Sequence, residues 1–449
     1  MSLLIDEYGR PIILFDSQST KQRIKGVEAY KSNILAARGV SSILRSSLGP
    51  KGSDKLLIDA DGSVTVTNDG ATILKEMSVE HPVAKLLVEL SQSQDKESGD
   101  GTTGVVVLAG ALLEQAQKLL ERGLHPLQII EGFDKGCNYA VAHLNAIKTQ
   151  LNFNENSEAL IKLAMTSLCS KVVSKYQRKF AEICVNAVKA VCDFDRKDVN
   201  FDMIKVEGKV GGSLEDTQLV SGIVIDKEMS HPQMPKEIKD AKICILSAPF
   251  EAPKPKTKYN VDIKTAEDYK KLYEQEQQYY RDMVQKVKNS GANFVISQFG
   301  FEDEANHLLM QNGLPAVRWV GGTEMEQIAI GTGGYIVPRF EDIKKEKLGC
   351  ARLVKEMSFG TDNSKMVVIE DALANKVVTI LVRGGSKAIV EEAKRCIHDA
   401  LCVVRNLIKD SKVVYGGGAS EISCSNYVNE KADSCTTVDQ YSLRAFADA

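Results

Sequence analysis

The chain has 449 residues, which is enough for about two to four domains. Its 43% hydrophobic and 26% charged content allows a sizeable core beneath a polar surface. The 57 basic and 60 acidic residues leave a formal net charge of −3, so the composition does not indicate binding to nucleic acid or to an anionic membrane. The N-terminus lacks a secretory signal and no later run is apolar enough to span a bilayer, so we expect a cytoplasmic protein.

Cysteine, histidine and motif patterns exclude several kinds of site. Ten cysteines are scattered without a C-x-x-C pair, which argues against a zinc site and a disulfide framework, and we interpret them as reduced thiols. The six histidines show no metal-ligand spacing. The chain also lacks the G-x-x-x-x-G-K-[ST] phosphate loop, the kinase signature set and the G-x-S-x-G nucleophile elbow.

The first third of the chain, from about residue 20 to 145, is typical of helices with one interruption. Lys55–Ile58 and Val64–Thr67 are predicted to form two strands, and a helix is predicted shortly after them. Further on, a glycine-rich break precedes residues 105–113, which are apolar on all sides. A helix that is apolar all round is expected to be buried.

The pattern changes after residues 155–195, which are again helical. Short β-rich runs then alternate with helical patterns such as 302–311, and this alternation predicts an α/β domain from about residue 210 to 370. A strand at 377–382 leads into a long helix with an apolar stripe, and another helix begins near residue 419. The strands predicted inside the α/β domain are 242–246, 294–297, 316–320 and 335–337.

An insertion lies within the predicted α/β domain. Residues 253–256, with the sequence Pro-Lys-Pro-Lys, begin it as an extended basic segment. Two interpretations of the following helix stay open on composition alone: packing onto its own domain, or a mobile arm that meets a partner. The helix starts near residue 265 and carries apolar residues at helical spacing, namely Tyr269, Leu272, Tyr273, Tyr280, Met283 and Val287.

The first candidate site is the run Gly99-Asp100-Gly101-Thr102-Thr103. Two glycines let the backbone approach a ligand, and free N–H groups at the start of the following helix attract anionic oxygens. The threonine hydroxyls add donors, and a lone aspartate suits a hard cation such as Mg²⁺ that bridges phosphates. By pattern alone, a plain glycine-rich turn with an Asp/Thr cap is an equally good interpretation.

Four further positions have a functional and a structural interpretation. Gly49 could let the backbone approach a nucleotide or could simply stop a helix. Asp69 and Asp399 could each orient or deprotonate an attacking water. Equally, Asp69 could be an N-cap and Asp399 a solvated residue beside the apolar stripe of its helix. The glycines at 416–418 could approach a ligand or form a flexible link.

Taken together, these motifs resemble those of a group II chaperonin, and the resemblance covers the whole chain. It is closer still to one subunit type of the eukaryotic cytosolic branch, TRiC/CCT, at residues 6–11, 230–235 and 314–320. The family resemblance rests on four motifs in this order: Leu48-Gly49-Pro50, Asn68-Asp69-Gly70-Ala71-Thr72-Ile73-Leu74, Gly99-Asp100-Gly101-Thr102-Thr103, and Asp399-Ala400-Leu401 followed by Gly416-Gly417-Gly418.

The resemblance implies a multidomain α and α/β fold with three nested domains. These would be a helical equatorial domain, a small intermediate domain and an α/β apical domain with a helical protrusion. The insertion would be that protrusion, which forms a built-in lid. The implied segments are 1–145 and 403–449 (equatorial), 146–212 and 370–402 (intermediate), and 213–369 (apical, with the protrusion at about 248–285).

The resemblance also implies roles for the candidate residues. Asp100 would bind Mg²⁺, and Asp69 and Asp399 would position the hydrolytic water. Lys171 would sense the γ-phosphate, because a point cation distinguishes ATP from ADP by charge. The residues expected to hold the nucleotide are Gly49, Gly101, Thr102, Thr103, Ser170, Lys171, Gly417 and Gly418.

The implied function is that of an ATP-dependent chaperone subunit, with ATP and Mg²⁺ as cofactors. It would join paralogous subunits in a hetero-oligomeric double ring and confine unfolded clients there. Hydrolysis would be coupled to domain closure, and closure to movement of the lid. The alternatives are a non-hydrolysing structural ring subunit, an inactive fragment, or an unrelated phosphotransferase that uses the glycine loop.

Family members continue well past Ala449. The continuation would supply equatorial helices and nucleotide contacts, so we expect this chain, expressed alone, to be poorly stable and a weak ATPase.

Overall fold

The structure is a computed structural model. It describes residues 2–5, 11–14, 23–58, 62, 64–151, 157–169, 171–252, 263, 265–359, 364–372 and 377–449.

The helices begin at residues suited to capping. Asp69, Thr265 and Ser386 each accept a hydrogen bond from a backbone N–H group in the first turn of the helix that follows. Numbered in chain order, the α-helices are α1 Val27–Arg45, α2 Gly70–Glu76, α3 Pro82–Glu97, α4 Thr102–Glu121, α5 Pro126–Ile147, α6 Ser157–Ser167, α7 Gln177–Val191, α8 Ala266–Asn289, α9 Asp303–Gln311, α10 Gly322–Thr332, α11 Lys387–Lys409, α12 Ala419–Asp433 and α13 Asp439–Asp448.

Within the described residues the strands form one seven-stranded, one three-stranded and three two-stranded sheets. In chain order they are β1 Ser2–Ile5, β2 Pro11–Leu14, β3 Lys55–Ile58, β4 Val64–Thr67, β5 Thr149–Gln150, β6 Ile204–Val210, β7 Gln218–Val220, β8 Gly222–Ile225, β9 Glu237–Leu246, β10 Phe294–Ser297, β11 Ala316–Val317, β12 Ile336–Val337, β13 Gly349–Phe359, β14 Ser364–Ala372, β15 Val378–Gly384 and β16 Lys412–Val413.

Helices α1 to α5 pack with α12 and α13 into a helical unit. Its main core contains Ala37, Leu44 and Ile73. Helix α4 approaches α1 closely because it has a glycine at the crossing: a Cβ atom on Gly110 would lie 2.2 Å from Ser41 Oγ. The prediction that residues 105–113 form a buried helix is wrong in part, since Leu108 is 51% exposed. Helix α4 packs mainly on α1, α3 and α13, with smaller contacts to α2 and α5.

The three-stranded sheet forms the centre of a second unit. Strand β15 lies between β6, to which it is parallel, and β7, to which it is antiparallel. Helices α6, α7 and α11 cover this sheet, and their shared core includes Phe180, Ile380, Ala393 and Val404. Helix α11 contributes residues to this core along most of its length. Its other side faces the helical unit.

The seven-stranded sheet forms a third unit. Its strand order is β11-β10-β9-β13-β14-β8, with β12 paired to β9. Strands β9 to β12 are parallel, whereas β13, β14 and β8 are antiparallel to their neighbours. The predicted strand 316–320 ends at Val317, because Trp319 has a φ of +59°, which a strand residue does not adopt.

Helix α8 divides into a packed half and an exposed half. Tyr280, Met283 and Val287 are buried in the core of the third unit. Tyr269 is 63% exposed and Tyr273 is 50% exposed. The packing interpretation is therefore confirmed for the C-terminal half of the helix, and the interpretation as an arm that meets a partner stays a prediction for the exposed half. The basic segment 253–256 lies outside the described residues.

The predicted fold class, a multidomain protein with helical and α/β parts, is confirmed. The first two predicted strands and the strand Phe294–Ser297 form as expected. The boundaries of the three nested domains stay a prediction. All ten cysteines are free thiols. Among the described helices, none combines the length and the apolar character needed to cross a membrane.

Candidate functional site

A cavity of about 530 Å³ lies where the helical unit meets helices α6 and α11 of the second unit. We call it the glycine-loop cavity, because the run from Gly99 forms one of its walls. Its lining residues are Ser47, Leu48, Gly49, Pro50, Asn68, Asp69, Asp100, Gly101, Thr102, Thr103, Gly104, Thr166, Ser167, Cys169, Lys171, Asp399, Gly416 and Gly417.

The glycine loop connects α3 to α4, and its two glycines are required by the backbone. Gly99 has a φ of +75° and Gly101 a φ of +79°, a region that residues with side chains adopt only with strain. A Cβ atom on Gly99 would also lie 2.3 Å from the Cys402 side chain on α11. Gly101 is the N-cap of the 20-residue helix α4. The free N–H groups and the positive dipole end of that helix therefore lie at the cavity.

Asp100 is held from both sides of the cavity. Its Oδ1 accepts a hydrogen bond from the Gly101 N–H group (2.7 Å), and its Oδ2 accepts one from Ser167 Oγ at the end of α6 (2.8 Å). Gln94 Nε2 donates to the Asp100 carbonyl oxygen (3.1 Å). The carboxylate is thus fixed at the wall, with lone pairs left for a cation.

Asp69 both caps a helix and lines the cavity. Its Oδ2 accepts hydrogen bonds from the Thr72 N–H group (2.9 Å) and from Thr72 Oγ1 (2.7 Å). Its Oδ1 accepts one from Ala71 N–H (3.3 Å) and one from Thr102 Oγ1 (2.9 Å). The last of these contacts joins the cap of α2 to the first residue of α4. The N-cap interpretation of Asp69 is therefore correct, and it is compatible with a role in the cavity.

Asp399 is a buried residue, so its interpretation as a solvated helix position is wrong. It is 8% exposed and pairs with Lys171, whose Nζ donates a hydrogen bond to Asp399 Oδ2. The reason is that α11 packs on the sheet core along one side, while its other side contacts β4 and the glycine loop. The predicted cation and the predicted catalytic carboxylate thus contact each other directly.

Burial and charge act in opposite directions on this pair. Burial, assisted by the carboxylates of Asp69 and Asp100 and opposed by Lys171, raises the pKa of Asp399 to about 7. Burial disfavours the charged form of Lys171, but Asp399 together with Cys396 and Asp100 outweighs the burial and holds the pKa of Lys171 above its ordinary value. Lys171 is therefore charged at neutral pH, and Asp399 is poised between its two protonation states.

The cavity brings together most of the predicted site residues, although their roles stay predictions. Gly418 does not line it and is instead the N-cap of α12. Ser170 lies outside the described residues. The predicted residues that do line the cavity are Gly49, Asp69, Asp100, Gly101, Thr102, Thr103, Lys171, Asp399 and Gly417.

Sequence reasoning missed several polar residues of the cavity wall. Ser167 and Thr166 close α6 just before Lys171, and Asn68 precedes Asp69. Only their positions next to predicted site residues could have indicated that they line the cavity. Hydroxyl and amide side chains are common in sequences and have no charge pattern that distinguishes a site residue. Within the described part of the chain, no group of three His, Cys, Asp or Glu side chains could hold a metal ion.

Comparison with known proteins confirms the resemblance found in the motifs. Residues 40–449 match the model of the TCP-1/cpn60 chaperonin family. The chain is 53% identical over 424 residues to the T-complex protein 1 subunit epsilon of Encephalitozoon cuniculi, covering 94% of this chain and 79% of that protein.

Archaeal proteins match over a similar length. The chain is 43% identical over 441 residues to a thermosome subunit of Methanocaldococcus jannaschii, covering 98% of this chain and 80% of that protein. It is 44% identical over 447 residues to the thermosome subunit alpha of Aeropyrum pernix, with the same shares of 98% and 80%.

We predict that Lys171→Met destabilises the protein in a pH-dependent way. The folded-state pKa of Asp399, about 7, exceeds its unfolded value of about 3.9, so the folded state binds more protons and stability falls as pH rises through this window. Without Lys171 that pKa rises and the window extends upward. At pH 8 the free energy of unfolding should drop by about 3 kcal/mol, because a buried charge has lost its partner. At pH 5.5 the drop should be small.

Urea unfolding at the two pH values measures this difference. The control is Lys175→Met, since Lys175 is an exposed lysine next to the same segment. The double variant Lys171→Met with Asp399→Asn should lose the pH dependence, because its carboxylate is gone. An equal loss of stability at both pH values in Lys171→Met would contradict the account of the ion pair.

Proposed function

The chain belongs to the TCP-1/cpn60 chaperonin family, whose members are ATP-dependent molecular chaperones, and on that premise we propose that it binds ATP in the glycine-loop cavity and hydrolyses it there. The observation that carries this proposal is the meeting of a helix N-terminus, a lysine and three aspartates in one cavity. The first two suit a polyphosphate, and the aspartates suit a cation and an attacking water.

The N-terminus of α4 binds the phosphates in this proposal. Thr102, Thr103 and Gly104 are its first residues, and all three line the cavity. Their backbone N–H groups have no intrahelical acceptor, and the helix dipole favours negative charge at this end. Gly49 and Gly417 also line the cavity, where the absence of a side chain leaves room for the rest of the nucleotide.

The cavity also fits a magnesium ion that accompanies the nucleotide. Mg²⁺ is commonly held by one or two carboxylates together with substrate phosphates and water, so a cage of several protein ligands is not required. Asp100 supplies one fixed carboxylate at the wall, next to the proposed phosphate site. When bound, the ion would neutralise phosphate charge. Asp100 is the residue that would hold it.

Asp69 and Asp399 position the water and receive its proton. Asp69 accepts four hydrogen bonds, which fix its carboxylate at the cavity wall beside the proposed position of the water. Asp399, with a pKa of about 7, is matched to a general base at neutral pH. Lys171 binds the γ-phosphate, which competes with Asp399 for the ammonium group. Moving Lys171 to the phosphate leaves Asp399 a stronger base.

We also propose that the chain acts in a hetero-oligomeric double ring with paralogous subunits, in the cytoplasm. Its relatives are named as subunits, which supports an assembly. Unfolded proteins expose apolar surface, and the third unit offers exposed aromatic residues to meet it, including Tyr269, Tyr273, Phe299 and Trp319. The exposed half of α8 would serve as the lid.

We predict that Asp399→Asn keeps ATP binding and loses hydrolysis. Asparagine retains an oxygen that accepts from Lys171 but cannot take a proton, so the rate should fall by about 10²–10⁴-fold. Single-turnover hydrolysis with the chain in excess over ATP and Mg²⁺ measures the rate, and calorimetric titration measures affinity. The matched control is Asp410→Asn at the exposed C-cap of the same helix. Wild-type hydrolysis by Asp399→Asn would remove Asp399 from the chemistry.

The ring proposal predicts the size of the native particle. Size-exclusion chromatography with light scattering on a native extract should place the chain in a particle many times its own 49.2 kDa, together with paralogous subunits. Elution of the whole population as a single chain would contradict assembly and leave only the ATPase proposal standing.

A further inference from the structure

Helix α11 carries a stripe of three polar side chains at seven-residue spacing: Glu392, Asp399 and Asn406. Seven residues are nearly two helical turns, so the stripe follows one face of the helix over about 20 Å. The middle residue lines the glycine-loop cavity, and the two outer residues do not. Each outer residue instead contacts a segment that lies one or two residues before a cavity residue.

Glu392 is connected to the turn that carries Asp69. Its side chain is buried, with the residue 3% exposed, and Arg395 Nε donates to its Oε2 (2.9 Å). Thr67 Oγ1 donates to Glu392 Oε1 (3.2 Å), and the same hydroxyl oxygen accepts from the Asp69 N–H group (3.2 Å). Thr67 and Arg395 thus fix the two carboxylate oxygens of Glu392 from two directions.

Asn406 is connected to the segment that leads into the glycine loop. Its Nδ2 donates to the carbonyl oxygen of Ser98 (2.8 Å), and the neighbouring Arg405 Nη2 donates to that of Glu97 (3.0 Å). These carbonyls lie at the C-terminal end of α3, where helical carbonyls have no intrahelical donor. Gly99 follows directly. Hydrogen bonds from α11 therefore fix the end of α3 from which the glycine loop begins.

We propose that Glu392 and Asn406 are positioning residues for ATP hydrolysis, which hold the Asp69 turn and the glycine loop at set distances from Asp399. The inference rests on the proposed ATPase function. Neither residue lines the cavity, so their substitution should slow the chemical step and leave nucleotide affinity nearly unchanged. Displacing a reacting group by about 1 Å can cost about 10²-fold in rate.

The experiment removes one hydroxyl group and then restores it. Single-turnover hydrolysis of ATP with Mg²⁺ by an excess of the 449-residue chain gives the rate at saturation and the ATP concentration for half-saturation. Thr67→Val, which keeps the shape of the side chain, should lower the saturating rate about tenfold or more and change half-saturation less than about twofold. Thr67→Ser, which keeps the hydroxyl, should restore most of the rate.

A double-mutant cycle tests whether Glu392 acts through Thr67. Glu392→Ala should lose as much rate as Thr67→Val, and the double variant should lose no more than either, because they break one chain of contacts. The matched control is Glu391→Ala, an exposed carboxylate on the same helix, which should hydrolyse at the wild-type rate. Asn406→Ala should slow hydrolysis similarly, with the exposed Lys409→Ala as its control.

Two results would contradict the positioning role without contradicting the proposed ATPase function. One is a wild-type rate for Thr67→Val in a folded chain, with only its unfolding midpoint lowered. The other is full additivity in the cycle. If Glu392→Ala does not fold, the comparison of the hydrolysis rates of Thr67→Val and Thr67→Ser still tests the positioning role. An absence of hydrolysis in the wild-type chain and in Glu391→Ala would overturn the ATPase proposal itself.

Discussion

The packing of helix α11 between the sheet core of the second unit and the helical unit is the constraint on which the glycine-loop cavity depends. The helix buries Ala393 and Val404 against the sheet and turns Asp399 toward the opposite side. Cys402 occupies the space that any side chain at residue 99 would need, so the loop must have glycine there. One element thus sets where segments distant in sequence meet, and a shift of this helix would move Asp399 relative to the glycine loop.

The charge arrangement in the cavity follows from that geometry. The side chains of Lys171 and Asp399 are each 11% exposed, and each favours the charged form of the other against the effect of burial. A phosphate group at Lys171 would offer the ammonium a partner of higher charge, and Asp399 would then face Asp69 and Asp100 without its cation. In the proposed mechanism the same lysine therefore sets affinity for the γ-phosphate and the basicity of Asp399. Because Lys171 and Asp100 lie on different units, this exchange gives nucleotide state a direct influence on how the units meet.

Local sequence pattern predicted the parts of the fold that depend on local interactions. The strand patterns predicted β3 and β4, and the glycine-rich break predicted where α4 begins. Helical periodicity could not predict burial along α8, because one apolar stripe passes through two different environments. Tyr280 of that stripe is buried, whereas Tyr269 is exposed. Asp399 was singled out by its family motif, since its helical position alone suggested solvent exposure. The contact between Thr67 and Glu392 joins residues 325 positions apart, and no local pattern carries such a pairing.

The most direct test of the central claim is an experimental structure of the full chain with a non-hydrolysable ATP analogue and Mg²⁺. The account predicts phosphates at the N-terminus of α4 and the γ-phosphate within about 3 Å of Lys171 Nζ, with the contact between Lys171 and Asp399 lost. A nucleotide bound outside the glycine-loop cavity would contradict it. So would a γ-phosphate in the cavity with the Lys171–Asp399 pair still intact.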